Sequence, residues 1–363
     1  MRSKIITSYT CFVLIVIVFA GFFVPDRYYS EREKRTLTPK PDFSITQFLS
    51  GKFGEDLESY LTDQIPLRDS WISLKTYAEL AMGKRESGGV YIGKDNYLLD
   101  KFSGYSAKQF RANSESLVKL AQSLKENDIQ MEVLLVPSSA QVLTDKLPRF
   151  APVADYETMV EDLSNLGLSA LDLRQALRRH SNESIYYRTD HHWTSLGAYY
   201  AYAAWRESKG LKTAPLSDWT EEILCDNFYG TTWNKVPLSS VPADTITAYY
   251  HRANRIVNYN RGNYVTDNIY EQKYLKGKDQ YGVFFNSNQA ITVVEGSTEN
   301  GKLLIIKDSF ANTFAQFVLD DYAEVHMIDL RFFHEDIAQY AADNGITEVL
   351  VLYGAQGFVS GKL

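Results

Sequence analysis

The sequence predicts an α/β protein whose parallel sheet is covered by helices on both faces, and three observations carry that prediction. Lys302-Leu303-Leu304-Ile305-Ile306 is an apolar run without interruption, the pattern of a strand buried on both sides. Runs of this kind alternate with stretches of helical periodicity between residues 107 and 208 and again between 302 and 352, and such alternation builds parallel sheets. Finally, Lys307-Asp308-Ser309 stops the apolar run and helix-spaced residues resume at once, from Ala311 to Leu319. A serine is thereby placed at the strand-to-helix turn, beside the crevice where open α/β sheets bind ligands.

The elements follow in chain order. Ile5 to Val24 is 20 residues without a charge, long enough to span a bilayer as a helix. Arg2 and Lys4 precede it and Arg27, Arg32, Lys34 and Arg35 follow it, so the cations leave the orientation open. The run exceeds the ~7–15-residue core of a cleavable signal. An uncleaved single-pass anchor in the cell membrane is therefore expected, with cleavage after Val18-Phe19-Ala20 as the rival. Ser44 to Met82 has helical periodicity (Phe48, Leu57, Leu61, Trp71, Leu74, Leu80) interrupted by Pro66, a helical stem. Helices are expected over Ala107 to Asn127, Tyr156 to Leu166, Ser195 to Ser208 and His334 to Asn344. Buried strands are expected over Met131 to Val136, Val325 to Ile328 and Val349 to Leu352. The expected organisation is 1–25 as stub and anchor, 26–86 as stem, 87–212 and 301–363 as the sheet domain, and 213–300 as an insertion.

In that insertion helix signals fade, and Tyr249, Tyr250, Tyr259, Tyr264, Tyr270, Tyr274 and Tyr281 appear among Asn, Arg and Gly. Exposed, they would form a strand-rich cap able to stack on sugar rings; the alternative is tyrosine's ordinary preference for half-buried strands. Of the chain's 363 residues 45% are hydrophobic, which excludes a disordered chain, and the formal charge of −7 carries no basic cluster. Nucleic acid is thus not an expected partner. The two cysteines are Cys11, in the apolar segment, and Cys225, so no disulfide is possible within the remainder.

The chemistry concentrates in Thr189-Asp190-His191-His192-Trp193-Thr194 and Lys307-Asp308-Ser309-Phe310. A serine hydroxyl needs an imidazole to take its proton and a third group to fix that imidazole's tautomer. Ser309, His192 and Asp190 fill those roles: Asp190 and His192 are two apart, so a tight turn brings the carboxylate to Nδ1 while Nε2 faces the nucleophile. His191, on the opposite side of the backbone, is expected to support the loop. Ser309 alone would equally suit a helix N-cap without chemistry. A metal held by Asp190 and the two histidines is the alternative constellation, but three contiguous residues rarely all reach one ion. No metal or cofactor is expected.

These residues carry a family resemblance. Asp190-His191-His192-Trp193 matches the naming motif of the bacterial DHHW family, which is similar to the SGNH-hydrolase-like domains of alginate O-acetyltransferases. Further matching stretches are Ser30 to Leu37, Asp63-Gln64-Ile65-Pro66-Leu67-Arg68, Val90 to Asp95 and Asp329-Leu330-Arg331. The resemblance implies an SGNH-hydrolase-like, flavodoxin-like three-layer fold outside the cytoplasm, with Ser309, His192 and Asp190 catalytic. It implies acetyl transfer to a cell-surface or secreted polysaccharide, with an acetylesterase using the same triad and a noncatalytic polysaccharide-binding or scaffold protein as alternatives. A membrane-bound O-acyltransferase supplying the acyl group is the implied partner. The chain departs from the family's Gly-Asp-Ser consensus, where Lys307 replaces the glycine, and it lacks a Gly-x-Asn-Asp element for the oxyanion hole. The Ser309 and Gly354 N–H groups and the Gln356 amide, in Leu352 to Gly357, are the candidate donors; a glycine-rich turn without chemistry is the alternative there. Tyr187, Trp193, Arg331 and Tyr353, beside these segments, are candidate substrate contacts.

Overall fold

The computed structural model describes residues 25–30, 35–252 and 254–361. The expected anchor, Ile5 to Val24, lies outside the described residues, as do 31–34 of the stretch from Ser30 to Leu37. No helix among the described residues is long and apolar enough to cross a membrane. The chain divides into two compact units, one comprising the residues up to Gly88 with Asn234–Leu238, the other Gly89–Trp233 with Ser239–Leu363.

In the first unit the stem is three helices, α1 (Ile45–Leu49), α2 (Lys52–Gln64) and α3 (Arg68–Ala81). The break between α2 and α3 falls at Pro66, which has no N–H to donate; Leu67 follows with φ 57°. Asp63, buried at the end of α2, accepts the N–H of Thr38 at 2.9 Å and its hydroxyl at 3.0 Å, which ties the preceding extended segment to the helix.

The second unit is a three-layer α/β body. Its strands are β1 (Val90–Ile92), β2 (Leu98–Asp100), β3 (Gln130–Val136), β4 (Ser169–Ala170), β5 (Thr220–Phe228), β6 (Asp244–Tyr250), β7 (Asn254–Tyr259), β8 (Tyr264–Asn268), β9 (Ile291–Glu295), β10 (Lys302–Lys307), β11 (Glu324–Ile328) and β12 (Glu348–Gly354). The main sheet runs β8-β7-β9-β11-β10-β12-β3-β4. Strands β11, β10, β12, β3 and β4 are mutually parallel. The larger helices are α4 (Ala107–Lys125), α5 (Tyr156–Asn165), α6 (Ser195–Ser208), α7 (Ala311–Val318), α8 (Ile337–Asp343) and α9 (Ala355–Ser360).

Strand alternation sorts the core into two layers. Leu303 and Ile305 of β10, with Leu350 and Leu352 of β12, face Ala198 and Trp205 of α6 and Phe314 of α7. Leu304, Ile306, Val349 and Val351 face the opposite way, toward Phe110 and Leu117 of α4, Met159 of α5 and Phe358 of α9. Period-2 side-chain placement makes these strands apolar on both sides, which is why they read as unbroken runs.

The expected all-parallel sheet is corrected to a mixed one. Strand β9 joins β11 antiparallel, β7 joins β9 and β8 joins β7 in the same sense. These three strands come from residues 213–300, so that segment completes the sheet edge instead of standing wholly apart; only β5 and β6 form a separate ribbon. Its tyrosines are mostly core: Tyr249, Tyr259, Tyr270 and Tyr281 are buried, and Tyr264 is the exposed one. Of the two readings, tyrosine's ordinary preference for buried strands therefore holds at the buried four, and they form no groove of exposed aromatics. Short strand pairs with only one apolar face per residue need such aromatic bulk to exclude water.

Candidate active site

β10 lies between β11 and β12 in the parallel part of the sheet, and its end places Ser309. The N–H of Asp308 donates to the Leu352 carbonyl of β12 (3.2 Å). Its carboxylate then accepts the Phe310 N–H (3.0 Å) on Oδ1 and the Gly354 N–H (2.8 Å) on Oδ2. One side chain thus pins the turn after β10 to the turn after β12. Ser309, half-buried, sits just before α7, whose first residue is Ala311; Phe310, not the serine, occupies the cap position.

The histidine loop is closed by its own backbone. Tyr186 bridges to Trp193 antiparallel and the Tyr187 N–H donates to the His192 carbonyl (3.3 Å). Asp244, on β6, fixes the loop from outside, accepting the N–H of Arg188 (3.0 Å) and both the N–H (2.8 Å) and hydroxyl (2.5 Å) of Thr189. Asp190 is 2% exposed and its oxygens are fully used. Oδ1 accepts the His192 N–H (3.0 Å) and the His192 ring at Nδ1 (2.5 Å). Oδ2 accepts the N–H (2.7 Å) and hydroxyl (3.0 Å) of Thr231. Gly230 is required here, since a Cβ on it would stand 2.2 Å from that carboxylate.

The carboxylate fixes the imidazole tautomer: with Nδ1 donating to Asp190, Nε2 is left to accept the Ser309 hydroxyl, 2.7 Å away. Burial pushes the His192 pKa down to about 4; neighbouring His191 lowers it further and Asp190 opposes both. The imidazole is thus neutral and able to take a proton at neutral pH. Burial would raise Asp190, but the adjoining His191 and His192 rings and its hydrogen bonds hold it well below the usual carboxylate range. It remains an anion in the protein interior.

Asp190, His191 and His192 offer ligand atoms within 4.8 Å of one another, close enough for a metal ion. Their donor set fits a hydrogen-bond relay better, because every group already has a partner of opposite sense. Thr231 gives its hydroxyl proton to Asp190 and so accepts from His191 Nδ1 at 2.6 Å. His191 supports the loop as expected.

Tyr281, like Thr231 and Asp244, is a site residue that sequence reasoning did not single out. Its ring lies flat on His192, centroids 4.0 Å apart and planes 8° off parallel, and its hydroxyl donates to the Ser309 carbonyl (3.1 Å). It contacts base and nucleophile segment together. In the sequence it was one of 25 tyrosines, with nothing to mark it.

The candidate oxyanion donors separate. The Ser309 N–H has no acceptor among the described residues. Gly354 is corrected: its N–H is committed to Asp308, as is that of Phe310. Gln356 is half-buried in the first turn of α9. Its neighbour Gly357 lies against Asp308, where a Cβ would be 2.9 Å from Oδ2.

The candidate substrate contacts mostly belong to the frame. Trp193 is fully buried, donating Nε1 to the Phe310 carbonyl (3.1 Å) and Thr313 Oγ1 (2.8 Å). It clamps the histidine loop to the nucleophile turn. Tyr187 is buried edge-on against Phe228 and Tyr281, and Tyr353 is buried in the opposite layer. Arg331 keeps an exposed side chain while holding Asp329 through Nε (2.8 Å) and Nη2.

Residues 159–328 match the family model "DHHW protein", and residues 90–224 match that of the SGNH hydrolase-like domain of acetyltransferase AlgX. The probable alginate O-acetylase AlgJ of Pseudomonas aeruginosa is 25% identical over 174 residues, 45% of this chain and 44% of that protein. The chain therefore matches less than half the length of that curated relative. Among solved structures, a DHHW family protein from Eubacterium siraeum shares the fold with TM-score 0.66 and 24% identity, over 76% of this chain and 93% of that one. Bacillus cereus PatB1, solved with a sulfonyl adduct, does so with TM-score 0.61 and 21% identity, over 73% of this chain and 94% of that one. Through residues 159–328, which carry the Asp190-His191-His192-Trp193 loop, the chain is similar to the DHHW family, and through residues 90–224 to the SGNH hydrolase-like domain of acetyltransferase AlgX.

Proposed function

We propose that the protein transfers an acyl group, acetyl in the first instance, through an acyl-enzyme on Ser309. The observation that carries this reading is the unbroken chain from Asp190 through His192 to Ser309, with contacts of 2.5 and 2.7 Å. Ser309 Oγ attacks the carbonyl carbon of the acyl donor while its proton passes to His192 Nε2. The oxyanion that forms is met by the Ser309 N–H, with the Gln356 amide as second donor. The intermediate collapses, the donor's leaving oxygen takes the proton from His192, and the acyl group stays on Ser309. A second hydroxyl then gives its proton to His192, attacks the acyl-serine, and Ser309 is released with that proton restored.

The second hydroxyl belongs, on this reading, to a cell-surface or secreted polysaccharide. The name of the P. aeruginosa relative, a probable alginate O-acetylase, supports a sugar acceptor; water in that role would make the protein an acetylesterase. The uncharged Ile5 to Val24 segment supports a single-pass anchor; the second unit outside the cytoplasm, beside a membrane-bound O-acyltransferase that supplies the acyl group, follows from the family resemblance.

Ser309→Ala is the decisive variant. It is expected to abolish cleavage of a chromogenic acetyl ester, and transfer to an acetyl-free oligosaccharide, by about 10³-fold or more. Unchanged ester cleavage in that variant would show that Ser309 is not the nucleophile; absence of cleavage and transfer in the wild type would favour the noncatalytic polysaccharide-binding role.

A further inference from the structure

Two residues before Ser309, at the end of β10, Lys307 is 1% exposed. No carboxylate lies within ion-pair distance of it among the described residues; its ammonium donates to Asn312 Oδ1 (2.8 Å) and Asn288 Oδ1 (3.0 Å). A buried cation held by neutral amides alone is costly to keep, and its partners show what it does there.

Asn312 stands in the first turn of α7, where its N–H donates to the Ser309 carbonyl (3.2 Å). Its amide nitrogen reaches the Ser287 carbonyl (3.5 Å). Asn288 belongs to the same 280–289 loop, which carries Tyr281 onto the His192 ring. That loop contains three consecutive left-handed residues that are not glycine, Phe285 (φ 52°), Asn286 (φ 57°) and Ser287 (φ 64°). Backbone of this kind persists only where its surroundings hold it. The ammonium of Lys307 joins the strained loop to the nucleophile's helix through Asn288 and Asn312, alongside the Tyr281 hydroxyl's bond to the Ser309 carbonyl.

We propose that Lys307 is a positioning residue for the nucleophile: its ammonium ties the turn after Ser309 to the Tyr281 loop and so holds Ser309 against His192. This rests on the acyl-transfer reading of Ser309. It also accounts for a lysine where the related consensus has glycine. The charged groups that act on the ammonium are Asp329 and Arg331 beyond β11 and Asp308 in the turn after its own strand; the loop and α7 present the uncharged Asn288 and Asn312. Burial brings the Lys307 pKa down to about 8, with Asp329 opposing. The charge assistance in both hydrogen bonds is therefore lost as the pH rises through that value.

The test measures hydrolysis of p-nitrophenyl acetate and inactivation by phenylmethylsulfonyl fluoride across pH, on the full chain, with Ser309→Ala as reference and thermal melting as the check on folding. Lys307→Met is expected to lower kcat by about 10–100-fold at unchanged KM, the effect of a displaced nucleophile. Wild-type activity should fall above about pH 8, and Lys307→Met should lack that limb. Asn288→Asp, which gives the ammonium a carboxylate partner, should move the limb upward by about one pH unit or more. Wild-type kcat in folded Lys307→Met, or an unshifted alkaline limb in it, overturns the proposal. If that variant does not fold, an unmoved limb in Asn288→Asp overturns it. Loss of activity in Ser309→Ala alongside an unaffected Lys307→Met removes only the role of Lys307; wild-type activity in Ser309→Ala removes the acyl-transfer reading and this proposal with it.

Discussion

At the scale of single residues, the account turns on a histidine kept neutral and a carboxylate kept charged. His192 takes up its proton near pH 4 in the folded chain and near 6.5 when unfolded. Between those values the unfolded chain binds more protons, so this contribution to stability is complete above about pH 6.5 and fades as the pH falls toward 4. Asp190, held below its ordinary range, acts in the same direction at still lower pH. Denaturant midpoints should accordingly drop between pH 7 and pH 5 in wild type, and drop less in His192→Gln. The acid limb of kcat/KM should lie near pH 4; a limb near 6.5 would mean an ordinary, solvated imidazole. Thr231→Val removes the hydroxyl that Asp190 and His191 share. It should lower kcat by roughly 10-fold at constant KM, since one hydrogen bond to a charged group contributes about 1.5–3 kcal/mol.

At the scale of elements, the site is a junction of three segments: the turn after β10, the loop from Tyr186 to Trp193, and the β8–β9 connection bearing Tyr281. Gly230→Ala probes this junction, because its Cβ would collide with Asp190. Activity should collapse while far-UV circular dichroism stays that of wild type. Retained activity would show that Asp190 has room to move. The first two segments were legible in the sequence, since an apolar run ended by Asp308-Ser309 announces a strand-to-helix turn and an Asp-x-His triplet announces a tight carboxylate–imidazole pair. The helix over Ser195–Ser208 was legible to its ends, because Thr194 caps it and its apolar face repeats regularly. Thr231, Asp244 and Tyr281 were not. Each reaches the site across a long sequence separation, and nothing local distinguishes a threonine that caps a carboxylate from one that faces water. Gly354 was misassigned because its glycine-rich turn was visible while the Asp308 carboxylate that takes its N–H was not.

At the scale of the whole molecule, the antiparallel strands β9, β7 and β8 extend a parallel sheet whose strand β10 ends at the nucleophile. Their connection delivers Tyr281 onto His192, so the segment from 213 to 300 is built into the site's frame. Tyr281→Leu should therefore cost activity more than Tyr281→Phe, which keeps the ring stack and loses only the hydroxyl's bond to Ser309. Equal losses in the two would assign the effect to the hydroxyl alone. Fractionation of cells making the chain with and without residues 1–24 tests the proposed anchor: the full chain should pellet with membranes and the shortened one should not.

The central claim, that Ser309 carries the acyl group, is tested most directly by acid-quenching the protein during turnover of an acetyl ester and mapping the adduct by peptide mass spectrometry. The account predicts an acetyl group on Ser309 in wild type, its accumulation when the acceptor is withheld, and its absence in Ser309→Ala and His192→Gln. Turnover without an adduct on Ser309, or an adduct that persists in Ser309→Ala, would contradict it.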